Sequence, residues 1–227
     1  MIRQIATFVF LCTAASAFAQ TSTTTRTVQA TGNATVSTTP DQAQLDVGVV
    51  TNAGTAQDSA QQNATMTTAV LTAVKAVLGS AGTVQTVNYT VYPRYSPAPG
   101  QSNVIVGYTT TNTVRITSND LSIIGKLIDA ANQAGANSVG NLNFGLQDSE
   151  PKVQQALSLA TKQAMSHASA IAAGLGATLG AVVNAQQGSA YTPIVLGVPG
   201  MAGAASTPVQ TGTVNVYATV TVTVALQ

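Results

Sequence analysis

Along this chain the hydrophobic positions recur with two different periods. From Val28 onward, Val28, Ala30, Gly32, Ala34 and Val36 fall on one side and Thr27, Gln29, Thr31, Asn33 and Thr35 on the other, the period-two pattern of a half-buried strand. Pro40-Asp41 makes a turn. A second alternation then runs through Ala43, Leu45, Val47 and Val49, and strand, turn, strand predicts an antiparallel pair. The period next becomes helical. Thr55 and Asp58 form a capping box, and Met66, Val70, Leu71, Val74, Val77 and Leu78 share a face that Gly79 ends. Thr83–Tyr95 and Val104–Thr117 read as strands joined by the hairpin loop Ser96–Asn103.

A second helix begins at Ser118 or Asn119, carries the stripe Leu121, Ile124, Ile128 and Ala131, and closes at Gly135. A short strand, Ser138–Gln147, follows. Ser149-Glu150-Pro151 opens the longest helix, in which Val153, Leu157, Ala160, Ala164, Ala168, Ile171 and Leu175 repeat at helical spacing. Leu179–Gln187 is a strand. The Gly/Pro-rich stretch 188–212 is apolar for a loop, with Tyr191, Ile194, Val195, Leu196, Val198 and Met201, and so is expected to rest on a partner surface. Thr213–Leu226 is the longest clean alternation and predicts a long terminal strand whose edge can template pairing with another chain. The fold class is α+β: antiparallel sheets packed against about three helices, with a long C-terminal strand.

The N-terminus adds a compartment. Arg3, the apolar run from Ile5 to Leu11 and the small residues of Ala17-Phe18-Ala19 predict a signal peptide over residues 1–19, cleaved before Gln20. The run falls short of the about 20 apolar residues that a membrane span needs. Residues 20–27 are a threonine-rich tail expected to be disordered, and 28–227 are one α+β domain. Cys12, the chain's one cysteine, lies in the leader, so the exported protein has no thiol chemistry and no disulfide.

Charge narrows the function. Only 7% of residues are charged, eight Lys and Arg against seven Asp and Glu, with no basic run. Nucleic-acid binding and electrostatic membrane attachment are excluded on that ground, and no integral membrane segment is expected after the leader. A neutral, hydroxyl-rich surface is easily desolvated and suits self-association. His167 is the one histidine, without the His or Cys partners a metal site needs. Asp148, Glu150 and Asp120 fit helix capping and the helix dipole, GxSxG is absent, and Gly174, Gly176 and Gly180 follow a helix where a phosphate loop would open one. No catalytic residue, metal or cofactor is therefore assigned, and the chain is read as a non-enzyme. Tyr89, Tyr92, Tyr95 and Tyr108 lie on paired strands, where they are candidates to stack on a ligand or on each other.

The order of these segments resembles the SIMPL-domain family of secreted bacterial proteins. The matching pieces are the Gly32 strand leading to Pro40-Asp41, QTVNYTVYPRY at 85–95, VGYTTTNTVRI at 106–116, DLSIIGKLIDAANQAGAN at 120–137, NFGLQDSE at 143–150, and the alanine-rich helix ending in GLGATLG at 174–180. The resemblance implies a periplasmic α+β protein, associated with oxidative-stress tolerance in some members and assembled into a ring-like oligomer in at least one. The function expected here is a periplasmic, non-enzymatic envelope protein, with outer-membrane association open. It acts as a homo-oligomer or on other envelope proteins, through Tyr191, Ile194, Val195, Leu196, Val198 and Met201. The alternative is a small-ligand module for a glycan or hydrophobic metabolite, seated near Tyr89, Tyr92, Tyr95 and Tyr108.

Overall fold

The computed structural model describes residues 26–191, 195–196, 198–199 and 207–227. The leader, the tail up to residue 25, and the interface candidates Ile194 and Met201 lie outside the described residues. So do the side chains of Val195, Leu196 and Val198.

The elements follow in the order β1 (Thr27–Thr38), β2 (Gln42–Ala53), α1 (Ala56–Leu78), β3 (Gly82–Tyr95), β4 (Ile105–Ser118), α2 (Ile124–Gln133), β5 (Ser138–Gly145), α3 (Glu150–Gly174), β6 (Leu179–Tyr191), β7 (Val195–Leu196), β8 (Val198–Pro199), β9 (Val209–Gln210) and β10 (Val214–Leu226). They form a five-stranded sheet in the order β3-β4-β2-β5-β7, a three-stranded sheet in the order β1-β10-β6, and the small pair β8-β9. All described pairings are antiparallel. This is the α+β class that the hydrophobic periods predict.

Two cores result. In the larger, Leu45, Val47 and Val49 of β2, Val114 and Ile116 of β4 and Phe144 of β5 pack against Val70, Val74 and Leu78 of α1 and Ile124 and Leu127 of α2. In the smaller, β1 and β10 turn Val28, Ala30, Val216, Val220, Val222 and Val224 toward α3.

Three expectations are corrected. β1 does not pair with β2. It pairs with β10 along its whole length, from Thr27↔Ala225 to Thr38↔Val214, while β2 runs between β4 and β5. The Pro40-Asp41 turn passes the chain from one sheet to the other: the Asp41 amide donates to the Gly145 carbonyl at 3.1 Å, and Asp41 Oδ1 accepts from the Gln147 amide at 2.7 Å, fixing the turn on the end of β5. β10 is the centre of its sheet, so the long terminal strand has no free edge. Finally, α3 buries Ala156, Ala160, Ala164, Ala168 and Ala172, while Ile171 and Leu175 are exposed. The helix lies so close to β1 at Gly32 that only a methyl stripe fits between them.

The start of α2 is preceded by one 3₁₀ turn, Leu121–Ile123, whose N-cap is Asp120: its side chain accepts from the Ser122 amide at 2.9 Å. Ser118 Oγ in turn accepts from the Asp120 amide. The carboxylate thus does the capping that its residue type predicts, and Ser118 and Asn119, the other candidates for the helix start, do not cap it.

Candidate functional site

The polar groups singled out in the sequence, His167, Asp148 and Glu150, make structural hydrogen bonds. His167 Nδ1 lies 2.9 Å from the Thr31 carbonyl, so that nitrogen carries the proton and donates. One turn earlier on α3, Gln163 Oε1 accepts from the Asn33 amide at 2.6 Å. Thr31 and Asn33 belong to β1, an edge strand, and the two α3 side chains seal part of its otherwise unpaired rim. Asp148 Oδ1 accepts from the Glu150 amide at 2.9 Å, and Glu150 Oε1 accepts from the Gln154 amide nitrogen at 3.1 Å, which is helix-start chemistry. Among the described residues no group of three or more His, Cys, Asp or Glu could hold a metal ion.

One ion pair sits on the sheet face opposite α1 and α2. Arg115 on β4 forks onto Asp46 on β2 with Nε–Oδ1 and Nη2–Oδ2 distances of 2.8 Å each, and Asn141 Nδ2 donates to Oδ2 at 3.0 Å. A bulge in β5 puts Asn141 there, at φ 51°. The Arg115 hydrogen bonds hold the Asp46 carboxyl below the usual carboxylate range; burial opposes them, and Asn141 adds to the lowering.

Under the first half of α1 the core is polar. Asn63 Nδ2 donates to the carbonyls of Val49 (2.8 Å) and Thr110 (3.2 Å), and Ser59 Oγ donates to Thr110 Oγ1 at 2.8 Å. A search for apolar periodicity passes over these positions. A polar side chain one helical turn from the next, Ser59 then Asn63 then Thr67, in line with Val70 and Val74, is the available signal.

The tyrosines do not converge. Tyr89 pairs with Asn112, itself opposite the buried Val49, so it lies on the helix-side face; Tyr92 pairs with Thr109, on the other face. Tyr108 pairs with Pro93, and Tyr95 stands at the mouth of the hairpin loop. Of the interface candidates, Tyr191 ends β6 and stacks on Tyr217 of β10, with ring centroids 5.1 Å apart and an angle of 23° between planes. Val195 and Leu196 extend the larger sheet as β7, opposite Phe144 and Asn143, and Val198 pairs with Gln210.

That tyrosine pair marks one end of the face of the smaller sheet turned away from α3. The strands of this sheet, β1, β10 and β6, contain no charged residue. Its polar side chains bond one another across β1 and β10: Thr31 Oγ1 to Thr221 Oγ1 at 3.0 Å, Thr219 Oγ1 to Asn33 Oδ1 at 2.9 Å, and Ser37 Oγ to Asn215 Oδ1 at 2.7 Å. Groups already bonded to each other lose less when water leaves.

A cavity of about 290 Å³ opens beside α2, with Leu45, Ile128, Val139, Leu142 and Val209 in its lining. The strap that carries Val209 is held down by Thr207, whose hydroxyl donates to Asp129 Oδ1 at 2.8 Å. Gly125 permits that approach, since a Cβ there would lie 2.4 Å from the Thr207 carbonyl oxygen.

The chain resembles known proteins over most of its described length. A family model described as SIMPL, protein of unknown function (DUF541), matches residues 28–224. The chain is similar, at 27% identity over 160 residues, to the 26 kDa periplasmic immunogenic protein of Brucella melitensis, covering 69% of this chain and 64% of that protein. The protein of the same name from Brucella abortus matches with the same identity and coverage. The uncharacterized protein YggE of Edwardsiella ictaluri is 28% identical over 99 residues, 44% of this chain and 41% of that one. The match therefore spans less than two thirds of the length of the Brucella relatives. No helix of the described residues is long and apolar enough to cross a membrane.

Proposed function

Given that the chain belongs to the SIMPL family, whose molecular function is unknown, we propose that it is a non-enzymatic periplasmic protein that works by docking on a second copy of itself or on another envelope protein. The periplasmic assignment rests on the names of the relatives and on the leader-like residues 1–19. Envelope or oxidative-stress tolerance is the setting that the family resemblance suggests.

The observation that carries the docking reading is the uncharged outer face of the smaller sheet. A hydroxyl or amide is both donor and acceptor, so such a face meets its own copy without charge conflict. The 12 residues of β1 at about 3.3 Å each, across three strands at about 4.8 Å, give about 570 Å² per copy. Two copies would bury about 1,100 Å², just below the usual range of specific interfaces.

Light scattering coupled to size exclusion tests this. The mature protein should run as an oligomer, and Thr221→Lys, which sets like charges against each other across a two-fold face, should shift it to monomer. A strictly monomeric wild type, with no envelope protein crosslinked to it in intact cells, overturns the reading.

The cavity beside α2 favours a second reading, a seat for a small apolar molecule. It stands apart from the tyrosines, which occupy the far edge of the same sheet. A thermal-shift screen discriminates, because a bound ligand raises the unfolding midpoint by mass action.

A further inference from the structure

The larger core is incompletely filled along β5. Residues paired across antiparallel strands turn their side chains to the same face. Val139 of β5 pairs with Val47 of β2, which is 1% exposed, yet Val139 is 37% exposed. Two features leave it so. Among the described residues β5 meets its outer neighbour β7 at Asn143 and Phe144, and no described strand flanks Ser138–Leu142. Asn141 and Leu142 both stand opposite Leu45, and this bulge bends the strand there. The margin is closed instead by the strap Thr207–Val209. Between strap, α2 and sheet lies the cavity of about 290 Å³.

The lining defines the ligand. Leu45, Ile128, Val139, Leu142, Pro208 and Val209 make its wall apolar, and no lining residue is charged. The two polar side chains of the lining are engaged elsewhere: Asn141 Nδ2 donates to Asp46 Oδ2, and the Thr207 hydroxyl donates to Asp129 Oδ1. A charged ligand would lose its hydration here and gain no counter-charge, and a sugar would bring hydroxyls that find few partners. Size narrows the class further. A dry apolar cavity of about 150 Å³ holds one benzene, so this one has room for about two fused rings or an aliphatic chain of equal volume. The strap is a fixed wall. Asp129 lies on α2, the helix that also supplies Ile128, so its bond to Thr207 ties one side of the cavity to the other.

We propose that this cavity binds an uncharged, hydrocarbon-bodied molecule of about ten carbon atoms, and that the Asp129–Thr207 bond holds the strap against it. This rests on the small-molecule reading of the cavity given above, and narrows it to a ligand class that excludes glycans. It is independent of the docking face.

Equilibrium dialysis of the mature protein against naphthalene and, separately, against 2-naphthoate tests it. Naphthalene should bind, and 2-naphthoate, the same rings with a carboxylate, should bind at least about tenfold more weakly. Val139→Phe puts a ring in the mouth of the cavity and should weaken naphthalene binding about tenfold or more. Val209→Phe narrows the cavity from the strap side and should act likewise. The exposure of Val139 predicts an unchanged unfolding midpoint for the first variant, so misfolding does not account for its loss. Thr207→Val keeps the shape but removes the hydroxyl, and should weaken binding about threefold or more. Tyr92→Ser removes a ring that is 61% exposed on β3, at the far edge of the sheet, and should leave binding unchanged. Naphthalene binding that survives both phenylalanine variants, or that Tyr92→Ser abolishes, overturns the site. Equal or tighter binding of 2-naphthoate overturns the ligand class while the small-molecule reading stands. Equal affinity in Thr207→Val overturns the role of the strap. Binding of neither probe overturns the proposal and the small-molecule reading together.

Discussion

Gly32 of β1 faces Ala160 of α3 so closely that a Cβ on the glycine would lie 2.1 Å from the Ala160 carbonyl oxygen and 2.4 Å from the Ala164 nitrogen. Both are backbone atoms, which cannot rotate away. The alanine stripe and the missing Cβ therefore set the helix-to-sheet distance together. The same approach brings Gln163 and His167 within reach of the β1 rim.

Gly32→Ala should accordingly force α3 off the sheet and cost about 3 kcal/mol or more, at the upper end of what overpacking does. Gly140→Ala is the control, since nothing lies within 4 Å of its added Cβ. Denaturant unfolding of the two variants should show a large loss for the first and almost none for the second.

Asn63→Ala should leave the carbonyls of Val49 and Thr110 without this donor beneath α1. A cost of about 1–3 kcal/mol is expected, read as a lowered midpoint in thermal unfolding. Thr65→Ala, on the exposed side of the same helix, should lie within about 0.5 kcal/mol of wild type.

The Asp46–Arg115 pair predicts an acid branch in stability. The folded carboxyl titrates below its unfolded value, about 3.9. The unfolded chain thus binds the proton first, and the stabilisation, fully present above that value, is lost as pH falls through the folded one. Asp46→Asn should cost about 1 kcal/mol at neutral pH, since Arg115 is partly exposed. The gap between the two proteins should close in unfolding curves taken below about pH 4.

Removing the seal on β1 should loosen an edge without unfolding the protein. In Gln163→Ala the Asn33 amide loses its acceptor, and its hydrogen exchange should quicken while amides of the central strand β10 stay protected. Adding His167→Ala exposes the Thr31 carbonyl as well, and the double variant should aggregate faster on heating.

Much of this fold was legible from periodicity alone. The strands near Val28, Ala43 and Val214 and the helices after Thr55 and Ser149 are where alternation and capping residues place them. Alternation, however, says that a strand has a buried face and not which strand lies beside it; β1 and β2, adjacent in sequence across one turn, fall in different sheets. In α3 the alanines 160, 164 and 168 are read on the buried stripe and are found there, but Ile171 and Leu175, placed on it with them, are exposed, because the distance that Gly32 imposes leaves no room for larger side chains. The tyrosines show a signal that was available and unused: positions 89 and 92, three apart on one strand, must face opposite ways. The run Val104-Ile105-Val106 was likewise visible, but only coordinates show it exposed among the described residues.

The pairing of β1 with β10 has a consequence in time. Thr31 and Thr221 meet across 190 residues, whereas β2 to β5, with α1 and α2, find one another within a contiguous stretch. Closing the longer loop costs more chain entropy, and contacts so distant in sequence form late. During synthesis, the larger core can consolidate while the first strand waits, unpaired, for the last one to emerge.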